Sequence, residues 1–234
     1  MGHVLLVRHG QAGFGRTNYD QLSDRGHAQA RLTGTAWRNR TAFAMAVSGG
    51  MRRHRETAAG FAETYVTLPP LQVDPGFDEY AHEAVLRAYR PDLAGRGAIA
   101  AWLANEADPR AAFRAAFEAA VRSWIEHGDA PAAGDVAVPE SFPAFQRRTF
   151  AALERLRATA ANEGSVVVFT SGGVISALTL TALGLPSSGF FDLSVELVNA
   201  AVTGLRPTEA GWRLTTFNAH LHLLGHTPSL LTRL

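Results

Sequence analysis

Two neighbouring residues near the start of the chain, Arg8 and His9, could bind and attack a phosphate group. They follow an apolar run at residues 4–7, and Gly10 comes directly after them. A short β-branched run that stops at a glycine predicts a buried strand opening into a loop, and open α/β sheets bind ligands beyond the carboxyl ends of their strands. A guanidinium suits phosphate oxygens, and an imidazole is a nucleophile near neutral pH. On this tripeptide alone, a surface pair at a strand end fits equally well.

A second cationic cluster lies where another strand is predicted to end. Residues 43–47 are apolar, residues 48–50 break the run, and three arginines with one histidine follow at residues 52–55. The start of a helix after a strand is a geometry in which anions bind. This position favours a role in anion binding for Arg53 over the alternative of a solvated helix face.

An acidic cluster lies farther along the chain, at residues 77–83. It contains three carboxylates and a histidine: Asp78, Glu79, Glu83 and His82. A carboxylic acid whose pKa is raised can protonate a leaving group, and Glu79 is the preferred candidate for that role. The alternative is a solvated turn.

The clearest strand of the chain runs over residues 165–169 and ends at Ser171 and Gly172, before a helix predicted over residues 174–183. Three predicted strand ends therefore carry Arg-His, an arginine cluster and Thr-Ser-Gly-Gly. We expect these ends to converge on one anion, because the carboxyl ends of parallel strands meet at one edge of a sheet.

The remaining pattern supplies the scaffold for these residues. Its elements are a helix capped by Ser23, two or three helices over residues 84–128, one long amphipathic helix over residues 141–161, and an antiparallel strand pair at residues 197–205 and 212–217. Strands that alternate with helices predict an α/β fold, a three-layer α/β/α sandwich on a mostly parallel sheet. We expect a single domain over residues 1–234, with residues 84–128 as a helical insert or lid that shapes substrate access.

Composition narrows the classes of function. Hydrophobic residues make up 47% and charged residues 18% of the 234 residues, which is typical of a soluble globular protein. The net charge of +1 favours neither nucleic acid nor an acidic membrane as a partner. The absence of cysteine excludes disulfides and thiolate metal sites. No signal peptide or membrane-length apolar run is found, so we expect a cytoplasmic protein. A homodimer is left open.

In this order, the motifs resemble the histidine phosphatase superfamily, the phosphoglycerate mutase-like proteins. The segments that carry the resemblance are Arg8-His9-Gly10-Gln11, residues 22–30, residues 48–58 with Arg53, Glu79, Glu140-Ser141 with the helix after them, residues 167–175, and residues 199–202 in a late strand. They span nearly the whole chain and leave the predicted helical insert unaligned.

The resemblance implies phosphoryl transfer through a phosphohistidine. By position, His9 would be the nucleophile, Arg8 and Arg53 would hold the nonbridging oxygens, and Glu79 would protonate the leaving oxygen and then activate water. Two arginines match the charge of a phosphate dianion, and the transition state mainly needs positioning and electrostatic stabilisation. The reaction is therefore expected to need no metal and no cofactor.

We also expect Gln11, Ser171, Gly172 and His82 to contact a small phosphorylated substrate. One of them departs from the family, which normally has a histidine where this chain has Ser171. A neutral hydroxyl is a weaker donor than a charged group, so a reduced rate is expected unless His82, His54 or His220 compensates. His82 is preferred because it lies three residues from Glu79. The tail histidines His220, His222 and His226 are interpreted as polar residues rather than metal ligands.

These observations predict a phosphatase acting on a small phosphomonoester. One alternative is a phosphoglycerate mutase-type phosphotransferase, which is less favoured because Ser171 weakens the pocket that must protect the phosphoenzyme. The other is a phosphate-binding regulatory protein with little catalysis.

Overall fold

The computed structural model describes residues 2–13, 20–127, 140–226 and 228–233. The sequence also predicts a glycine-rich loop over residues 11–19, most of which lies outside the described residues, and a loop over residues 129–139, all of which lies outside them. Within the described residues the strands are β1 (Val4–Arg8), β2 (Phe43–Ser48), β3 (Leu71–Val73), β4 (Ser165–Thr170), β5 (Val202–Thr208) and β6 (Gly211–Ala219). They join one sheet in the order β3-β2-β4-β1-β5-β6.

The sheet is mostly parallel. Strand β4 pairs in parallel with β1 and β2, and β2 pairs in parallel with β3. Strand β5 is antiparallel to both β1 and β6, so the predicted antiparallel pair is confirmed. The carboxyl ends of β1, β2 and β4 consequently lie side by side, which places the three predicted motif ends at one edge.

Helices cover both faces of this sheet. Those of the described residues are α1 (Asp24–Trp37), α2 (Arg52–Ala62), α3 (His82–Tyr89), α4 (Ala98–Leu103), α5 (Pro109–His127), α6 (Phe142–Arg155), α7 (Arg157–Asn162), α8 (Gly172–Leu183) and α9 (Phe190–Glu196). In the part of the chain that the structure describes, no helix combines the length and the apolar character needed to cross a bilayer. Ser23 caps α1 as predicted, because its hydroxyl accepts a hydrogen bond from the Gly26 N–H.

Alternation along β1 explains why both faces are covered. Leu5 and Val7 pack with Phe61 of α2 on one side, whereas Val4 and Leu6 pack with the α8 side of the sheet. Successive side chains of a strand point to opposite faces, so a run without polar residues needs helices on both. The three-layer α/β/α sandwich on a mostly parallel sheet is confirmed.

The segment predicted as two or three helices contains most of α3, together with α4 and α5. Its attachment to the sheet domain is aromatic: Trp124 of α5 lies 4.7 Å from the Tyr80 ring and 5.0 Å from the Phe142 ring, centroid to centroid. Trp124 also donates its indole N–H to the Glu140 carbonyl. The segment is thereby packed against the loop that contains Glu79.

Two predicted elements differ from the structure. The single helix predicted over residues 141–161 is divided at Leu156, whose N–H bonds to Leu153, three residues back, which tightens the turn and lets α7 pack against β4 and β5. The strand predicted over residues 197–205 begins only at Val202. Asn199 and Ala200 form a turn instead, with Ala200 at a φ of 59°.

The reason for that turn lies in β1. The Ala200 N–H donates to the Arg8 carbonyl, and the Asn199 amide donates to the His9 carbonyl at 3.1 Å. These bonds hold the backbone at the end of β1, and a continuous strand could not make both. The residues expected to lie in a late strand thus form a support for the candidate site.

Candidate active site

His9 lies at the carboxyl end of β1 with its ring almost fully buried. Its Nδ1 is 2.7 Å from the Gly10 carbonyl oxygen. Since a carbonyl oxygen only accepts hydrogen bonds, Nδ1 carries the proton and Nε2 keeps its lone pair. Burial lowers the pKa of His9 well below its ordinary value, and the nearby guanidinium groups of Arg53 and Arg8 lower it further. The ring is therefore neutral, with Nε2 in the nucleophilic form.

Two buried arginines line the same cavity as His9. Arg8 is the last residue of β1, and its Nη1 donates to the Leu197 carbonyl. Arg53 comes from the first turn of α2, and its Nη1 donates to Asp20 Oδ1 at 2.9 Å. The structure thus brings together the two cations that the sequence predicted around one anion.

Glu79 is buried and also lines this cavity. Its carboxylate accepts the Gly173 N–H at 2.9 Å and the Tyr80 N–H at 3.3 Å. Burial raises the pKa of Glu79 despite these two bonds and the nearby arginines, all of which act in the opposite direction. Glu79 can therefore hold a proton at a pH where an exposed glutamate is ionised.

Gly173 leaves the space that Glu79 occupies. A Cβ at this position would lie 2.2 Å from Glu79 Oε1. Only a glycine lets the acid approach the first turn of α8 this closely.

His82 lines the cavity beside Glu79. Its Nε2 is 3.8 Å from Glu79 Oε2, and burial lowers the pKa of His82 to about 3. The ring is neutral at physiological pH, so it offers a hydrogen bond rather than a charge.

The rest of the cavity wall is largely apolar. It is formed by Phe117 of α5 together with Phe191 and Val195 of α9. The cavity holds about 30 Å³, room for roughly two water molecules. A phosphoryl group would therefore fill it, and the rest of an ester would extend toward its opening.

Two supporting residues escaped the sequence analysis. Asp20 binds Arg53 and also accepts the backbone N–H of Arg52 at 2.8 Å, which places this carboxylate at the start of α2. Arg148 of α6 donates from Nη1 to the carbonyls of three residues in the loop before Glu79: Pro75, Gly76 and Asp78. Both act over long sequence separations, so no local pattern signals them.

The sequence model of the histidine phosphatase superfamily (branch 1) matches residues 4–112 and 100–220. The chain belongs to this superfamily. No curated protein matches it by sequence. The match covers the residues around the cavity, from β1 to the turn at Asn199.

Solved structures of histidine phosphatase-like proteins share the fold. A phosphoserine phosphatase variant from Entamoeba histolytica, in complex with phosphoserine, aligns over 96% of this chain and 100% of that one, with a TM-score of 0.66 and 16% identity. The mycobacterial glucosyl-3-phosphoglycerate phosphatase aligns over 94% and 99%, with a TM-score of 0.61 and 22% identity. Phosphoglycerate mutase from Bacillus anthracis aligns over 93% of both chains, with a TM-score of 0.60 and 19% identity.

Of the four residues expected to contact the substrate in this superfamily member, two line the cavity, and Gln11 and Ser171 do not. Gly172 and His82 line the cavity. Gln11 does not: its Oε1 accepts a hydrogen bond from Ser23 at 3.0 Å. Ser171 is fully buried, with its Oγ 2.6 Å from His54 Nε2.

The tail histidines of this superfamily member contact protein groups. His220 Nδ1 is 2.5 Å from the Asn218 carbonyl oxygen, and His222 Nε2 is 3.0 Å from Thr33 Oγ1. Within the described ranges, no three His, Asp or Glu side chains are grouped closely enough to hold a metal ion.

Proposed function

We propose that this protein is a phosphatase that hydrolyses a small phosphomonoester through a phosphohistidine on His9. The observation that carries the proposal is a neutral imidazole with its Nε2 lone pair available, in one cavity with two buried guanidinium groups and a buried carboxylic acid. An anion of two charges matches the two arginines.

In the first step, His9 Nε2 attacks phosphorus, and the bond from phosphorus to the ester oxygen breaks. Glu79 gives its proton to that oxygen, so an alcohol leaves rather than an alkoxide. Arg8 and Arg53 hold the nonbridging oxygens, whose charge they stabilise in the transition state.

In the second step, Glu79 is a carboxylate and accepts a proton from water. The water oxygen attacks phosphorus, the bond between phosphorus and His9 breaks, and inorganic phosphate leaves. Glu79 is then protonated again and His9 is neutral, so the cycle closes with side chains alone and without a metal.

The substrate class is a small organic phosphate. Structural neighbours bind such molecules, namely phosphoserine and 3-phosphoglyceric acid in two structures of the Entamoeba histolytica phosphatase. In this chain, Phe117, Phe191 and Val195 line the cavity, which favours an apolar group next to the phosphate.

The test is turnover of a panel of phosphomonoesters, beginning with 4-nitrophenyl phosphate. We expect His9→Ala to reduce kcat by on the order of 10³-fold or more, because the nucleophile is lost. His127→Ala removes an exposed histidine and serves as the control. A phosphorylated wild-type protein, absent in His9→Ala, should be trapped by rapid quenching in alkali and located by mass spectrometry.

Full turnover by His9→Ala would contradict the proposal. Tight phosphate binding without turnover by the wild type would favour the phosphate-binding regulatory protein instead. That second candidate rests on Ser171, a neutral residue at a position where the family has a histidine.

A further inference from the structure

Ser171 stands at the N-cap of α8 but does not cap the helix. A serine at this position usually accepts a hydrogen bond from the second or third N–H of the helix. Here the Gly173 N–H donates to Glu79 instead. The Ser171 Oγ lies 2.6 Å from His54 Nε2 and 3.4 Å from Nη2 of Arg53, whose guanidinium lines the cavity.

His54 is a fully buried histidine in the first turn of α2. Its ring centroid is 6.0 Å from that of His9. Among the described residues, His54 Nδ1 has no hydrogen-bond partner, and the Asp78 carboxylate is 3.9 Å away. A buried polar atom without a partner is destabilising. A residue that only filled space here would be more stable without ring nitrogens, so the imidazole points to a role in the site.

The position of one proton on His54 decides what Ser171 can do. Burial lowers the pKa of His54 well below its ordinary value, so the ring is neutral and carries a single N–H. If the proton is on Nδ1, Ser171 must donate its hydroxyl proton to Nε2. If the proton is on Nε2, His54 donates to Ser171 Oγ, and the hydroxyl proton is available to another acceptor.

We propose that His54 is a positioning residue that acts through Ser171, which in turn contacts the phosphoryl group. With phosphate bound, His54 Nε2–H donates to Ser171 Oγ, and the Ser171 hydroxyl donates to a nonbridging oxygen held by Arg53. This inference rests on the proposed phosphate site. Hydrogen bonds in such a chain polarise one another, so the imidazole makes the neutral hydroxyl a stronger donor.

The test is a double-mutant cycle of His54→Phe and Ser171→Ala, with kcat measured on 4-nitrophenyl phosphate. Ser171→Ala should lower kcat by about 10²-fold, as expected for one oxyanion donor, and His54→Phe by about 10-fold. The double variant should be no slower than Ser171→Ala, because His54 has no route to the phosphate without the hydroxyl. His54→Gln should recover part of the loss, because its amide N–H can replace Nε2–H.

His82→Ala is the matched comparison. The fold-decrease in kcat caused by His82→Ala should multiply with that caused by Ser171→Ala, because the His82 ring lies beside Glu79 rather than Ser171. This arm separates the present inference from the expectation that His82 compensates for the missing histidine.

Two measurements keep the test independent of turnover and of variant folding. The same cycle is measured on the Kd of vanadate, and ¹⁵N NMR of the wild type with vanadate bound reports which nitrogen of His54 carries the proton. Coupled vanadate affinities without any turnover would sustain the inference while the proposed function fails. The inference would be overturned if His54→Phe lowered kcat and vanadate affinity equally with and without the Ser171 hydroxyl. A proton on His54 Nδ1 with vanadate bound would also overturn it.

Discussion

At the scale of single residues, one physical cause shifts the pKa values of both proposed reacting groups, His9 and Glu79. Burial disfavours the charged form of any side chain, so it lowers the pKa of His9 and raises that of Glu79. His9 is neutral and Glu79 can stay protonated in the same pH range, whereas an exposed histidine and an exposed glutamate would both be charged there. Such opposite shifts are what an acid and a nucleophile need to act together.

The pH dependence of kcat/KM follows from these two shifts. Activity should fall at low pH only below the lowered pKa of His9, well under its ordinary value of about 6.5. It should fall at high pH as Glu79 loses its proton, above the ordinary value of about 4.3. We expect Glu79→Gln to be slower on an alkyl phosphate and to lack the high-pH decline. Profiles from pH 4 to 9 for both proteins check this, and an identical decline in the variant would exclude Glu79 as the acid.

At the scale of elements, the site is held by contacts between distant segments. The Gly10 N–H donates to Thr57 of α2, which fixes the loop after β1 against that helix. Arg148 holds the loop before Glu79 from α6, where it also forms an ion pair with Glu140. The loop after β1 and the loop before Glu79 thus each depend on a partner far away in the chain.

This dependence on distant partners separates the features that the sequence could predict from those that it could not. The strand cores, the cap at Ser23 and the motif ends have local signals, and all of them are found in the structure. Arg148 is 70 or more residues from the carbonyls it binds, so no local pattern indicates these contacts. The turn at Ala200 likewise forms because of bonds to β1, which no feature of residues 197–205 indicates.

Arg148→Ala tests this support. The variant loses the donor to three loop carbonyls, and charged hydrogen bonds contribute about 1.5–3 kcal/mol each at most. We expect the free energy of unfolding to fall by about 2 kcal/mol and kcat by about 10-fold, with the Kd of vanadate nearly unchanged. Arg147→Ala is the control, because Arg147 is its exposed neighbour on the same helix. An equal effect of both variants would show that Arg148 has no special role.

At the scale of the whole molecule, the buried histidines link stability to pH. The pKa values of His9, His54, His82 and His222 are all lowered mainly by burial. The unfolded chain takes up protons on these residues near pH 6.5, whereas the folded chain does not. Stability is therefore present above that pH and is lost as the pH falls.

We expect the free energy of unfolding to be lower at pH 5.5 than at pH 7.5 by on the order of 1–3 kcal/mol. The raised pKa values of Asp78 and Glu79 act in the opposite sense and reduce the loss. Urea unfolding at both values measures the difference. His222→Gln should make the dependence shallower, and a protein equally stable at both pH values would refute the expectation.

The narrow cavity has a consequence for the order of events in catalysis. The phosphoryl group would fill its volume of about 30 Å³, and in-line attack on phosphorus puts both the departing alcohol and the incoming water on the side away from His9. The two molecules must use the same place in turn. Under the proposed mechanism, inorganic phosphate can therefore form only after the alcohol has left past Phe117 and Phe191.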